Sequence, residues 1–253
     1  MGEDAYPFFV GPHRFDAYGE VEGPVLDRRY ELVPEFGERI LGRYRLWLAG
    51  HLLGPSEGRR QWSLPSIATV TVTDRRLVHV CAGVTLAVVQ PDGRHRRPIG
   101  RPRLVTGQIR WQWPSRLELT AVAPGWEDEL FVVCDALRTI RQPALALRGP
   151  TREVSELARQ VQRAVATFRL NRPELVELAP PERDELLRGL VPQAFGPGRR
   201  VRLAGALPVE FMSRDDYYHP GTRPEPVRPR PVAVVGTAQT VELPQPGRPG
   251  SAC

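Results

Sequence analysis

Apolar and polar positions alternate with a period of two along much of residues 39–147, and then the period changes. The alternation is clearest over residues 66–81, Ser-Ile-Ala-Thr-Val-Thr-Val-Thr-Asp-Arg-Arg-Leu-Val-His-Val-Cys. Thr69 to Thr73 are all β-branched, stiff at χ1 and suited to a pleated surface. Threonines alternate with valines, which gives one polar and one apolar face. Thr73-Asp74-Arg75-Arg76 reads as a turn, since aspartate is favoured early in a type I turn. Residues 77–81 then resume a strand. Two strands alone are marginal in water, so this hairpin requires more sheet around it.

The same pattern predicts the rest of that sheet. Residues 39–49 read as a strand with Tyr44, Leu46 and Leu48 on one face and Arg43, Arg45 and Trp47 on the other. Residues 51–65 read as a loop. Further strands are expected at 84–90 and at 105–113, where Ile109, Trp111 and Trp113 share a side and Pro114 ends the run. Residues 116–123 and 129–134 form a second hairpin around the turn 124–128. Residues 137–147 read as a short strand, placed at a sheet edge by Pro143. From residue 151 to 170 the spacing becomes helical, with Val154, Leu157, Val161, Val165 and Phe168 on one stripe. Glu153 and Glu156 early and Arg163 and Arg169 late suit the helix dipole. A weaker helical pattern covers 181–190.

The 253 residues divide accordingly. Residues 1–33 form an N-terminal arm carrying Tyr6, Phe8, Phe9 and Phe15. Residues 34–170 form a β-rich domain whose helix, 151–170, needs an apolar surface to cover. Residues 171–193 are a short helical extension. Residues 194–253 hold 10 Pro and 7 Gly, a share typical of low-complexity chain, and are expected to be a largely disordered tail. Within it, 223–231 favours polyproline-type backbone, and 231–235 could pair with a sheet edge.

Composition narrows the chemistry. The net charge is +6, and all 35 basic residues are arginine. Arginine in place of lysine, with richness in Ala, Pro and Gly, is the bias expected of a GC-rich bacterial genome. The absence of lysine excludes a complete Walker A loop, a PLP Schiff base and a Ser-Lys dyad. Three cysteines are too few and too scattered for a disulfide framework or a zinc site. Cys81 and Cys134 are expected to be buried thiols. No leader-like apolar segment and no run of about 18 apolar residues is found, so a cytoplasmic protein is expected.

Six or seven strands followed by one long amphipathic helix is similar to the order of a pleckstrin-homology-like barrel. Residues 34–41, Pro-Glu-Phe-Gly-Glu-Arg-Ile-Leu, resemble the "Pro-Gly-Glu, then apolar" lead-in of bacterial PH-like and GRAM-like domains, with two extra residues. Residues 72–78, Val-Thr-Asp-Arg-Arg-Leu-Val, resemble their hairpin. The resemblance spans residues 34–170. It implies a partly open antiparallel β-barrel closed by the C-terminal helix, and a binding scaffold with no catalytic residues to transfer.

Candidate binding residues lie in loops. Arg94, His95, Arg96, Arg97, Arg101 and Arg103 form a basic loop whose guanidinium forks suit an anionic headgroup. Trp111 and Trp113 read as core. Trp126, beside acidic residues, is a candidate exposed contact. Glu127, Asp128 and Glu129 read as a solvated turn without calcium-loop spacing. His13, His51, His79, His95 and His219 show no ligand spacing, and no nucleophile elbow or dinucleotide fingerprint occurs. The expectation is therefore a non-catalytic module without cofactor or metal, binding a protein partner. The alternative is an anionic membrane surface reached through the basic loop. Nucleic acid is not expected, because acids interleave with the arginines and no recognition pattern is present.

Overall fold

The computed structural model describes residues 23–54, 59–82, 88–89, 95–96, 104–136, 142–191 and 194–209. The strands are β1 (Ile40–Leu53), β2 (Arg59–Thr73), β3 (Arg76–Ala82), β4 (Val88–Val89), β5 (His95–Arg96), β6 (Leu104–Arg110), β7 (Pro114–Ala123), β8 (Glu127–Cys134) and β9 (Gln142–Pro150). Two helices follow, α1 (Thr151–Leu170) and α2 (Pro180–Leu190), and then a last strand, β10 (Arg200–Arg202). The main sheet runs β10-β7-β8-β9-β1-β2-β3-β6, with antiparallel neighbours throughout. It is open: among the described residues, β10 pairs only β7, and β6 pairs only β3. The β4–β5 pair joins β2 through Ser63 and Val88.

β1 belongs to both halves of this sheet. Its whole length pairs β2, and its later part, from Trp47 to Leu53, pairs β9. Register shifts on either side of Gly50 in the β1–β2 ladder bend the strand where the halves meet. Alternation supplies the inner face: Leu46, Leu48, Val70, Val72, Leu77, Ile109, Leu117, Leu130 and Leu147 form one apolar cluster. The stripe predicted on α1 covers it, with Val154, Leu157, Val161 and Val165 all fully buried. Each such side chain contributes about 1.5–3 kcal/mol by leaving water. Gly149 permits close approach at this seam, because a Cβ there would collide with the Leu46 side chain.

Several expectations change. The hairpin turns at Thr73–Arg76 as read, but the loop expected at 51–65 is largely strand, because β1 runs on to Leu53 and β2 begins at Arg59. Pro143 is not at a sheet edge, since β9 lies between β8 and β1. It sits one residue beyond the last β8 pair, Val133 with Ala144, where its missing N–H breaks no β8 rung. Pro114 does not stop a strand; it opens β7 after a turn containing Trp111 and Trp113, both buried. The acidic run 127–129 is not a solvated turn. It lies in β8, and Asp128 is fully buried, on the same side as Leu130 and Val132.

The two flanking segments change most. Of the expected N-terminal arm, residues 23–33 are described and dock: Leu26 bridges Leu32, and Glu31 accepts a hydrogen bond from Arg43 of β1 at 2.9 Å. The expected tail does not begin at 194. Phe195, Leu203, Ala204 and Val209 are buried, β10 extends the sheet, and Val209 bridges Ala136. Apolar residues spaced among the glycines and prolines join the buried clusters there. Residues 210–253, including 231–235, lie outside the described residues. No helix among the described residues is long and apolar enough to cross a membrane.

Candidate functional site

Of the basic loop, Arg94, Arg97, Arg101 and Arg103 lie outside the described residues, and of His95 and Arg96 only the backbone is placed, as β5. Trp126 is placed fully. It closes the β7–β8 turn, its N–H bonded to the Ala123 carbonyl and its own carbonyl accepting from the Thr151 N–H. The left-handed φ of +79° at Gly125 makes the turn, and the indole is 80% exposed. Beside it, Arg148 of β9 pairs with Glu127. Trp126 therefore stands at the start of α1, whereas the β5 pair attaches to β2.

A second basic region was not singled out in the sequence. Arg199, Arg200 and Arg202, with Arg188 of α2, line a groove of about 270 Å³ between β10 and the two helices. An adjoining groove of about 470 Å³ shares Arg200, Val201, Arg202 and Leu203 with the first, and has Arg116, Asp135 and Glu182 in its wall. The signal available was Arg-Arg-Val-Arg over 199–202, an alternating edge-strand pattern inside a stretch that composition assigned to tail.

Two further polar constellations are buried and hold the frame. On the face of the sheet away from α1, Arg76 grips Glu38 bidentately, with Nε to Oε1 at 2.9 Å and Nη2 to Oε2 at 2.7 Å. Its Nη1 donates to Gln108 at 2.6 Å and lies 3.0 Å from Glu35. The Thr73 hydroxyl donates to Glu38 at 2.7 Å and accepts the Arg75 and Arg76 amides. Desolvation works to raise the Glu38 pKa, but hydrogen bonds from Arg76, the Glu35 amide and Thr73 outweigh it, and the carboxyl is held below its usual value. Behind the β6–β7 turn, Arg169 is fully buried and donates to four main-chain carbonyls, those of Trp111, Pro114, Leu203 and Ala204, at 2.6–2.9 Å.

The remaining titratable groups are interior ones. Burial pushes the Cys81 and Cys134 thiols up to about 11 and about 12, so both are protonated at neutral pH. His79 points into the sheet–helix core between Val70 and Gly107, and burial pushes it down to about 4. His51 falls to about 4 through burial and the nearby Arg59. Among the described residues no group of three His, Cys, Asp or Glu could hold a metal ion. No protein-family model matches the chain, and no curated protein does either.

The histidines set an acid limit on stability. Above pH about 6.5 they are neutral in both folded and unfolded chain and do not alter stability with pH. Between about 6.5 and the folded value of about 4 the unfolded chain takes up the protons first, so stability falls with pH. Replacing His79 with Leu is expected to shrink the loss between pH 7 and pH 4.5 by about 2–3 kcal/mol, read by urea denaturation at the two values. An unchanged difference would show that His79 is not the group responsible.

Proposed function

We propose that the chain is a non-catalytic, PH-like binding module that acts in the cytoplasm by engaging a protein partner at its surface. The observation that carries this reading is the order of the sheet. β1, β2, β3 and β6 form one antiparallel set and β7, β8 and β9 another, and α1 follows to cover the shared inner face. The two segments resembling bacterial PH-like domains also meet in space: Glu38 of the lead-in is bound by Arg76 and Thr73 of the hairpin. Side chains fill the interior between sheet and helix, so contacts with other molecules fall to loops and edges. Trp126 is the most exposed tryptophan among the described residues; Phe36, in the 34–38 lead-in, is also fully exposed. A strongly exposed indole at a rigid turn has the character of an interface anchor.

The test is affinity capture from the source cells with the full chain as bait, alongside Trp126→Ala. A protein enriched by the native chain and reduced by the substitution is the expected result. Capture of no protein, together with flotation on phosphatidylserine vesicles that is lost when Arg94, Arg96 and Arg97 become Glu, would overturn the reading in favour of a membrane surface.

A further inference from the structure

We propose that an acidic, extended peptide segment of a partner protein adds as a strand to the free edge of β10, beside the arginines of the groove. This rests on the binding-module reading and specifies where, and with what chemistry, a partner is held.

The edge is defined by its hydrogen bonds. β10 pairs with β7 in the register Arg200–Glu118, Val201–Leu117, Arg202–Arg116. On either side of Val201, the Leu119 N–H donates to the Arg199 carbonyl at 3.0 Å and the Leu203 N–H donates to the Ser115 carbonyl at 2.8 Å. The Arg199 carbonyl and the Leu203 N–H therefore face β7, which sets the phase of the ladder between them. In an antiparallel ladder successive residues point their N–H and C=O to opposite sides. Those of Arg200 and Arg202 point away from β7, and no described strand or loop takes them up. An edge of this kind is a template for another strand.

Charge selects the occupant. Arg188, Arg199, Arg200 and Arg202 line the groove against one acid, Glu185. Arg188 and Arg202 are exposed, and neither has an ion pair among the described residues. Arg200 lies 3.6 Å from Glu118 while its side chain is 64% exposed. The floor is apolar, formed by Ala166, Leu186 and Leu203. A strand with acids on one side and small apolar residues on the other meets both features. A phosphate or a lipid headgroup meets only the first, because it cannot donate to the outward carbonyls of Arg200 and Arg202. A peptide backbone offers donors and acceptors at strand spacing.

The experiment is fluorescence anisotropy with the full chain and a fluorescein-labelled peptide of alternating Glu and Val. The expected result is saturable binding that weakens with salt and falls by about tenfold or more in the Arg188→Glu, Arg202→Glu double variant. Both side chains are exposed, so the variant is expected to melt as the native chain does, and it should acquire affinity for the alternating Lys and Val peptide. Methylating alternate peptide amides should abolish binding, and amide exchange at Arg200 and Arg202 should slow when the native peptide is bound. Absence of binding, or equal binding of the methylated peptide, would overturn strand addition. So would competition by phosphatidylserine vesicles that bind through the same arginines. If affinity capture retrieves the same partner with the native chain and the double variant, this inference fails and the binding-module reading stands. If neither retrieves a partner, that reading fails.

Discussion

Replacing Arg169 with Met is expected to lower stability by about 3–5 kcal/mol, because it leaves several buried carbonyls without a donor at about 1–3 kcal/mol each before relaxation. Arg169 projects from the last turn of α1 into a site with no solvent exposure. Burial lowers its pKa to about 9, so it remains charged at neutral pH. Among the described residues no carboxylate hydrogen-bonds to it there; four carbonyls from two chain segments stabilise its charge by hydrogen bonding. Met fills much of the same volume but donates nothing, and the Trp111, Pro114, Leu203 and Ala204 carbonyls each lose a charge-assisted bond. For a domain of about 200 residues the loss corresponds to roughly 10 °C or more in Tm. Lysine should rescue only in part, because an ammonium cannot reproduce the planar fork.

Position of damage matters as much as its size. The segment 199–209 has its own bonds to the β6–β7 region, from Leu203 to Ser115 and from Leu207 to Gln112, and Arg169 hydrogen-bonds both to α1. Amide exchange in 199–209 should therefore accelerate more than exchange in β1 and β2. A loss below about 1 kcal/mol, or uniform acceleration, would show that apolar burial of Leu203 and Val209 alone docks the segment.

Why this tie is hidden in the sequence is a matter of range. The alternation over 66–81 and the helical stripe of 151–170 are local signals, and the hairpin, its turn and α1 are where they predict. Trp111 and Trp113 are in the core as expected, but they reach it from the β6–β7 turn and not from a strand face. Arg169, by contrast, reads as a dipole-matching cation at a helix end; its role depends on carbonyls up to 58 residues away. The same holds for 194–209, whose glycines and prolines dominate its composition while Phe195, Leu203 and Val209 dominate its packing. Asp128 misled in the same way: three consecutive acids suggest solvent, but a strand sends the middle one inward. The exposure of Trp126 was legible because nothing in its local pattern gave it a burial partner. The arginines around β10 were not, because a groove exists only once α2 and β10 are set side by side.

The second large effect is expected at Glu38. Glu38→Ala should cost about 3–5 kcal/mol, because it leaves the Arg76 guanidinium buried with its bidentate partner gone. Glu35, at 3.0 Å from Arg76 Nη1, retains part of the compensation, as does Gln108. Arg76→Ala should cost a similar amount, leaving the Glu38 carboxylate with Thr73 and the Glu35 amide. The pair holds two structures together: the 34–38 lead-in, folded by the φ of +72° at Gly37, and the β2–β3 turn, to which Trp111 is also bonded through the Thr73 carbonyl. Replacing both residues by apolar ones, Glu38→Leu with Arg76→Met, should therefore cost less than the two single substitutions summed, with a coupling of about 2 kcal/mol or more in a double-mutant cycle. The pH dependence has a definite sign. The folded carboxyl titrates below the unfolded value of 4.5, so its stabilisation is present above pH 4.5 and is lost as pH falls through the folded pKa. Glu38→Gln removes that titration and should flatten the acid limb below pH 4.5 while leaving the histidine-dependent slope above it. Additive single and double variants, or an acid limb unchanged in Glu38→Gln, would mean that the lead-in and the hairpin are held by packing alone and that their charge pairing is incidental.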